Sequence, residues 1–284
     1  TPYTLGFRKA LRITNGNQTN GDNGDTNIQI WQRIESQYIA NSGWNYLSAS
    51  SFVTLQFWVK SSVAQNFNCY LLNEDTTQNT FPFETGSLSA NTWTKVTKKI
   101  PGNSNLTFNN DTGAGLRVAI CPFNGTNRTS NSLSNDAWVT FANNNFTRVN
   151  TTTWLTTNAA TFEITGVQLE VGDTATTFEH RSYGDELARC QRYYEETYVM
   201  TDAGNSYVRV PVLYKVEKRD AGTPVSYAKR PDGVGTGAAN KSYQADGERT
   251  TACNYSWTGG TMVFVSGYSA NTDCFSNVRV DAEL

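Results

Sequence analysis

The chain has 284 residues, only 17% of them charged and 12% aromatic, with a formal net charge of -2 and a single histidine. Near-neutral charge argues against an electrostatic nucleic-acid binder, which needs clustered Lys and Arg to neutralise phosphates. One histidine excludes His-cluster metal sites and leaves His180 as the sole base for a Ser–His–Asp triad. No stretch approaches the ~20 consecutive apolar residues of a membrane span, so membrane insertion is not expected.

The length suits one large domain or one plus a small second, since all-β domains can run to ~200 residues, and it suffices to bury a core without disulfides or metals. Solubility must rest on Asn, Thr, Ser and Gln, since charge is sparse. The start at Thr1-Pro2-Tyr3 has neither a signal peptide nor an initiator methionine and reads as a fragment or a processed form. In chain order, the first notable segment is Asn20-Gly21-Asp22-Asn23-Gly24-Asp25. Its oxygen ligands make Asp22 and Asp25 a candidate calcium site, although it lacks EF-hand spacing and also reads as a plain loop.

Phe52–Lys60 alternates most clearly: Val53, Leu55, Phe57 and Val59 share one face, and Thr54, Gln56, Trp58 and Lys60 the other. Leu116, Val118 and Ile120 repeat the pattern, as do Ala137, Val139 and Phe141 with Trp138 opposite. In Thr161–Val171 the inward set begins as Phe162 and Ile164 and resumes as Val167, Leu169 and Val171. That slip at Thr165-Gly166 predicts a β-bulge. Short strands between polar turns point to an all-β fold, a jelly-roll β-sandwich.

A helix is predicted over Ser182–Tyr198. Ser182 caps it with Asp185 three residues on, and Leu187, Cys190, Tyr194 and Tyr198 lie along one side. It divides the chain into a jelly roll over 1–180, a connector helix over 181–199 and a small C-terminal β domain over 200–284. In the last, Val208, Val210, Val212, Tyr214 and Val216 alternate, and Pro211 demands a strand edge or a bulge. Further strands are expected near Thr251–Trp257, Met262–Tyr268 and Phe275–Val280. Between them, Gly235–Ser242 nearly spells a phosphate-binding loop, but Asn240 replaces a required glycine and no βαβ unit surrounds it, so it reads as a loop.

The five cysteines are widely spaced with no C-x-x-C, which disfavours zinc and thioredoxin-type chemistry. Buried reduced thiols are the default reading, with a Cys253–Cys274 bridge as the alternative. Several Asn-X-Thr triplets occur, as chance provides in a chain this rich in Asn and Thr, and no glycosylation is read from them.

Residues 162–194 run FEITGVQLEVGDTATTFEHRSYGDELARCQRYY. This run resembles a module that recurs in bacteriophage and prophage tail-fibre and other virion surface proteins, a carbohydrate-binding-module-like jelly roll whose final strand leads into a short helix. Trp31–Glu35, Leu55–Lys60, and Trp93 opening a strand that ends in Ile100-Pro101-Gly102 also match. The likeness covers residues 1–200 well and the rest weakly. It implies a virion surface location, other virion proteins as partners, and a homo-oligomer with a trimer favoured. Its signature residues Val167, Leu169, Val171 and Leu187 read as core, so they mark the fold and not a ligand site.

Sugar binding by β-sandwich modules needs exposed aromatic faces, with amides and carboxylates reading hydroxyls. Trp58 and Trp138 oppose their strands' core faces, Gln56 lies beside Trp58, and Trp44 and Tyr46 occupy a loop. These five residues are the candidate carbohydrate contacts. The competing reading has Trp58 and Trp138 filling a second layer or a subunit interface. Trp31, Trp93, Trp154 and Trp257 read as core anchors. Glu35, Glu74, Asp75, Glu84 and Asp136 could supply a hydrolytic carboxylate pair, but the sequence shows no pairing. The leading expectation is therefore a non-enzymatic adsorption protein that binds host surface polysaccharide through many displayed copies, without a cofactor unless calcium is bound. The alternative is a structural head spike, fibre or decoration subunit, and a third reading is a glycan-degrading enzyme.

Overall fold

The computed structural model describes residues 1–16, 24–142, 144–150, 152–203, 208–220, 225–229, 250–266 and 272–282, with backbone alone for 198–203, 208–210, 225–229, 250–256, 261–266 and 272–279. It forms two compact units, Thr1–Glu179 and His180–Leu284. The fold is all-β, as the alternation predicts.

The strands of the first unit are β1 (Leu11–Thr14), β2 (Asn27–Glu35), β3 (Phe52–Ser61), β4 (Asn68–Asn73), β5 (Asn79–Glu84), β6 (Thr94–Pro101), β7 (Ala114–Asn124), β8 (Val139–Thr140) and β9 (Thr161–Val171). They build a four-stranded sheet in the order β1-β9-β3-β6 and a five-stranded sheet in the order β2-β7-β4-β5-β8. The named strand pairs within both sheets are antiparallel. The core lies where alternation puts it. Val53, Leu55, Phe57 and Val59 of β3, with Phe162 and Ile164 of β9, join Cys69 and Leu71 of β4, Phe81 and Phe83 of β5 and Leu116, Val118 and Ile120 of β7 in one buried cluster.

The bulge in β9 is present. Gln56 faces Gln168 and Trp58 faces Thr165, so Gly166 and Val167 together oppose Phe57 alone. Gly166 takes the left-handed region with φ 62°, and a Cβ there would collide with the Phe7 ring. Val167 and Val171 are exposed, contrary to the expected inward set, and Leu169 is half-buried against the core. The reason is edge geometry: β1 covers only Thr161–Ile164 of β9, leaving its later half paired on one side by β3. At β8 the expected faces are exchanged. Trp138 packs against the main core, and Phe141 joins a separate cluster with Tyr70, Leu72, Ala119 and Cys121.

The second unit begins with α1 (Tyr183–Gln191). Ser182 caps it, its Oγ accepting from the Asp185 amide at 3.2 Å. The helix is shorter than predicted: Tyr194–Tyr198 belong to β10 (Tyr194–Ala203), because the aromatic and β-branched residues there pair with β15 (Thr272–Asp281) instead of continuing the helix. The side chains of Tyr183–Cys190, Leu187 included, are exposed, so that side of the helix is not core. Of the remaining strands, β11 (Val208–Leu213), β13 (Thr250–Trp257) and β14 (Gly260–Ser266) lie close to the predicted positions, and β12 (Val225–Lys229) is one that the sequence pattern did not single out. Two three-stranded sheets result, β10-β15-β12 and β11-β14-β13, and Pro211 sits on an edge strand as its missing donor requires.

Lys218, itself buried, anchors the helix end in this unit. Its Nζ donates to the Gln191 carbonyl and to Glu195 Oε2 at 2.7 Å, with the Val216 carbonyl at 3.2 Å. Cys69 and Cys121 are buried free thiols, and burial pushes Cys121 up to about 12, so both stay protonated. Cys190 is free and exposed. Cys253 and Cys274 lie on strands of different sheets, and their side chains fall outside the described residues, as do Asp22 and the Gly235–Ser242 loop.

Replacing Gly166 with Ala is expected to cost about 1–3 kcal/mol, from the left-handed backbone and the Phe7 overlap together. Gly16→Ala is the control, since nothing lies within 4 Å of its Cβ position. Thermal melts that lower the midpoint equally for both variants would refute the bulge as a packed feature.

Candidate functional site

The outer face of the four-stranded sheet is strapped down. Gln56 is only 3% exposed, and its Nε2 donates to the Thr176 carbonyl at 2.8 Å and to Glu170 Oε1 at 3.2 Å. Glu170 also accepts from the Thr176 amide at 2.9 Å, the Thr176 hydroxyl at 2.6 Å and Gln168 Nε2 at 3.1 Å. Phe178 then packs edge-on to Phe7, 5.0 Å between centroids. The amide expected to read sugar hydroxyls is thus spent on holding the 172–178 segment against the sheet. Trp58, on this same face, is half-buried between Lys95 and Thr165.

Trp44 is also a correction. It is 3% exposed, its Nε1 donates to the Ser51 carbonyl at 3.3 Å, and its ring packs with Tyr46 and Phe108. Tyr46 is half-buried, edge-on to Phe108 at 5.0 Å. Their loop lies tight on the chain after β6: the Asn103 amide donates to the Tyr46 carbonyl at 2.7 Å, and a Cβ on Gly102 would stand 2.5 Å from that oxygen. Trp138 is half-buried, 5.4 Å from Phe81, with Nε1 donating to the Pro101 carbonyl at 2.7 Å. The structure therefore brings Trp44 and Tyr46 together as packing, and it does not gather the five candidate contacts into one open surface.

Two tryptophans expected in the core are exposed instead. Trp257 is 40% exposed, at the turn between β13 and β14 in the second unit. Trp31 is 46% exposed, on β2 at the edge of the five-stranded sheet. Trp154 is fully buried and Trp93 half-buried.

Around Trp31 the sheet assembles a defined patch. Alternation puts Gln29, Trp31 and Arg33 on the face away from the core, and the register sets Ala119 opposite Trp31 and Arg117 opposite Arg33. The guanidinium carbons of Arg33 and Arg117 stand 4.8 and 5.1 Å from the Trp31 ring centroid, within cation–π range. Glu74, just past β4, clasps both: Arg33 Nε donates to Oε2 at 2.8 Å and Nη2 to Oε1 at 3.3 Å, while Arg117 Nη2 donates to Oε1. Burial works against the Arg117 charge, but Tyr70 and Glu74 outweigh it and hold its pKa above the ordinary arginine value. The Tyr70 hydroxyl, itself pushed up by burial, donates to Gln29 Oε1 at 2.9 Å, and Gln29 Nε2 donates to Asn124 Oδ1 at 2.8 Å.

The other half of this face is closed. Phe146 stacks on Tyr70 at 5.0 Å and Phe141 packs on Phe146 at 4.9 Å, so β4 and β5 are buried on both sides. Period-2 alternation names Trp31 as outward only if β2 is recognised as a strand, which Asn27–Glu35 spells as N-I-Q-I-W-Q-R-I-E. The register shift between Ile28 and Ile30 blurs that signal.

The candidate carboxylates are dispersed among internal partners. Besides Glu74, Asp75 accepts from the Asn109 amide and side chain at 3.1 Å, Glu84 from Asn66, and Glu35 from Gln37 Nε2 at 2.6 Å, while Asp136 pairs with Lys98. His180 is exposed. Asp25 Oδ1 accepts from Asn127 Nδ2 at 3.2 Å, and among the described residues no group of three or more His, Cys, Asp or Glu side chains is arranged to hold a metal. Among the same residues no helix is long and apolar enough to cross a membrane.

No protein-family profile matches the chain, and no curated protein does. Among solved structures, a chain of Sulfolobus turreted icosahedral virus aligns at 12% identity and a TM-score of 0.20, over 98% of this chain and 62% of that one. A chain of Macrobrachium rosenbergii nodavirus aligns at 8% identity and a TM-score of 0.16, over 97% and 85%. The chain thus spans less than two thirds of the first structure's length, and likenesses this distant establish no common role.

Acid should loosen the first unit. Burial raises the pKa of Glu163 and of Glu170, but Lys60 and Arg12 on the former, and Thr176, Gln168 and Gln56 on the latter, outweigh it and hold both below the ordinary glutamate value. A lowered folded-state pKa contributes stability that is complete above the unfolded value and is lost as pH falls through the folded one. Melting midpoints should therefore drop on acidification below about pH 4, and Glu170→Gln should make that drop shallower. An unchanged acid limb in Glu170→Gln would remove the Glu170 cluster from the account.

Proposed function

We propose that this chain is a non-enzymatic virion surface protein that contacts host glycan through the outer face of its five-stranded sheet, with Trp31 as the stacking platform. One observation carries the reading: in the first unit, Trp31 alone among the described tryptophans is exposed, and it lies on the outer face of an edge strand beside charged side chains. An exposed indole is costly to leave in water and suits the C–H face of a sugar ring. The resemblance of residues 162–194 to phage tail-fibre modules supports placement on a virion. Single-site sugar contacts are weak, so display of several copies, a trimer among the candidates, would supply avidity.

The second reading, a structural subunit contact, draws on the same patch, because Trp and Arg are the residues enriched at protein–protein hot spots. A glycan array probed with the intact chain separates the two. Trp31→Ala should weaken array binding about tenfold or more while leaving the melting midpoint near that of the parent chain. Trp44→Ala should instead cost about 3–5 kcal/mol of stability, as a buried aromatic does. Array binding that survives Trp31→Ala and is lost in Trp58→Ala would move the site to the other sheet. No array binding, together with Trp31 buried in an assembled particle, would replace the glycan reading with the structural one.

A further inference from the structure

We infer that the second unit carries a saccharide subsite of its own, at Trp257 where β13 turns into β14, and that its ligands are neutral pyranosides. It does not rest on the Trp31 contact, which lies in the other unit. Strand register builds it. Gly260 of β14 is paired with Leu213 of β11 on one side and with Trp257 of β13 on the other. Directly opposed residues project from the same face of a sheet, so Leu213 and Trp257 flank a glycine on one face. Leu213 is 72% exposed and Trp257 40%, whereas Val212 and Tyr214, which alternate to the other side, are buried.

Two glycines hold the indole in place. A Cβ on Gly260 would stand 2.7 Å from Trp257 Cζ2, and one on Gly259 would stand 3.1 Å from Trp257 Nε1, so the ring rests against backbone that a side chain would fill. A ring seated in this way loses little freedom when a sugar packs on it. Its open surface, with Leu213 beside it, suits the C–H face of a pyranose. The polar groups here keep capacity for hydroxyls. Thr258 Oγ1 donates to Glu217 Oε1 at 2.7 Å, which brings an exposed carboxylate to the residue next to Trp257. Among the described residues, nothing donates to Glu217 Oε2 and nothing accepts from Trp257 Nε1. A sugar hydroxyl both donates and accepts, so it can use a free acceptor and a free donor beside an apolar row. The charge on Glu217 works against acid sugars and anionic headgroups, which leaves the neutral class.

The test probes an array of neutral and acidic glycans with the full chain carrying Trp31→Ala, so that the first unit's contact is removed. The binding that remains should be to neutral glycans, and adding Trp257→Ala should weaken it about tenfold or more with the melting midpoint near that of Trp31→Ala alone. Trp257→Phe in the same background, which keeps an aromatic ring, should retain part of the affinity and guards against a folding defect. Glu217→Gln, which keeps an acceptor oxygen and removes the charge, should leave neutral binding largely in place and raise binding of acidic glycans. Loss of all array binding in Trp31→Ala alone overturns the second subsite and leaves the Trp31 contact standing. Neutral binding that survives Trp257→Ala also overturns it, and a preference of Trp31→Ala for acidic glycans overturns the ligand class. No array binding by any form, together with self-association in sedimentation that Trp257→Ala abolishes, overturns it in favour of a contact between copies of the chain.

Discussion

Two-sided burial of the central strands governs the first unit. β4 contributes Cys69 and Leu71 to the main core on one face and Tyr70 and Leu72 to a cluster with Phe141 and Phe146 on the other, and the residues of β4 and β5 are almost all buried whichever way they point. Such a strand cannot present a ligand site on either side. The covering phenylalanines pack on β4 and β7 residues, and on the edge strand β2 the outward Trp31 is exposed while Gln29 and Arg33 beside it are half-buried.

A chain with so few charges spends them carefully. Carboxylates of the first unit are satisfied by specific donors: buried Asp75 by Asn109 and Ser36, buried Glu163 by Arg12 and Lys60, and half-buried Glu170 by Thr176 and two glutamines. Side-chain amides seal the interior of the first unit. Asn15 Nδ2 donates to the carbonyls of Trp154 at 3.0 Å and of Thr157 at 3.2 Å, closing the turn that carries the fully buried Trp154. The abundant Asn, Gln and Thr serve as structural hydrogen-bond partners at several such points, which is why an amide next to an aromatic in the sequence is poor guidance to a ligand.

Alternation and backbone chemistry were legible in the residues; coverage was not. Phe52–Lys60 named the core face of β3, the slip at Thr165-Gly166 named the bulge, and Pro211 named an edge or a bulge, of which the structure shows the edge. Each of these is a local consequence of side-chain period or missing donors. Whether the opposite face meets water depends on segments distant in sequence: the strap at Thr176 buries Gln56, and Phe108 closes over Trp44. The same limit explains Val167 and Val171, whose period is right but whose edge lacks a second strand among the described residues. Helical spacing misled at Tyr194 and Tyr198, because tyrosines four apart also fall on one face of a strand, and pairing with β15 decides between the two.

Both sheets carry the same electrostatic unit, and the contrast between the copies bears on what the patch does. On the four-stranded sheet, Glu163 is held by Arg12 and Lys60, and the Lys60 ammonium stands 5.1 Å from the half-buried Trp93 ring. On the five-stranded sheet, Glu74 is held by Arg33 and Arg117, both near Trp31. A carboxylate clasped by two cations beside an indole is therefore compatible with a purely structural role, and the first copy shows it. The second copy differs in the two respects that matter for recognition. Its indole is open, and both of its cations are guanidinium forks, which are more weakly hydrated than an ammonium and keep a fixed donor geometry. A structural clasp has no need of an exposed ring. The exposure of Trp31, more than the charge beside it, separates the two copies, and the proposed contact rests on that exposure.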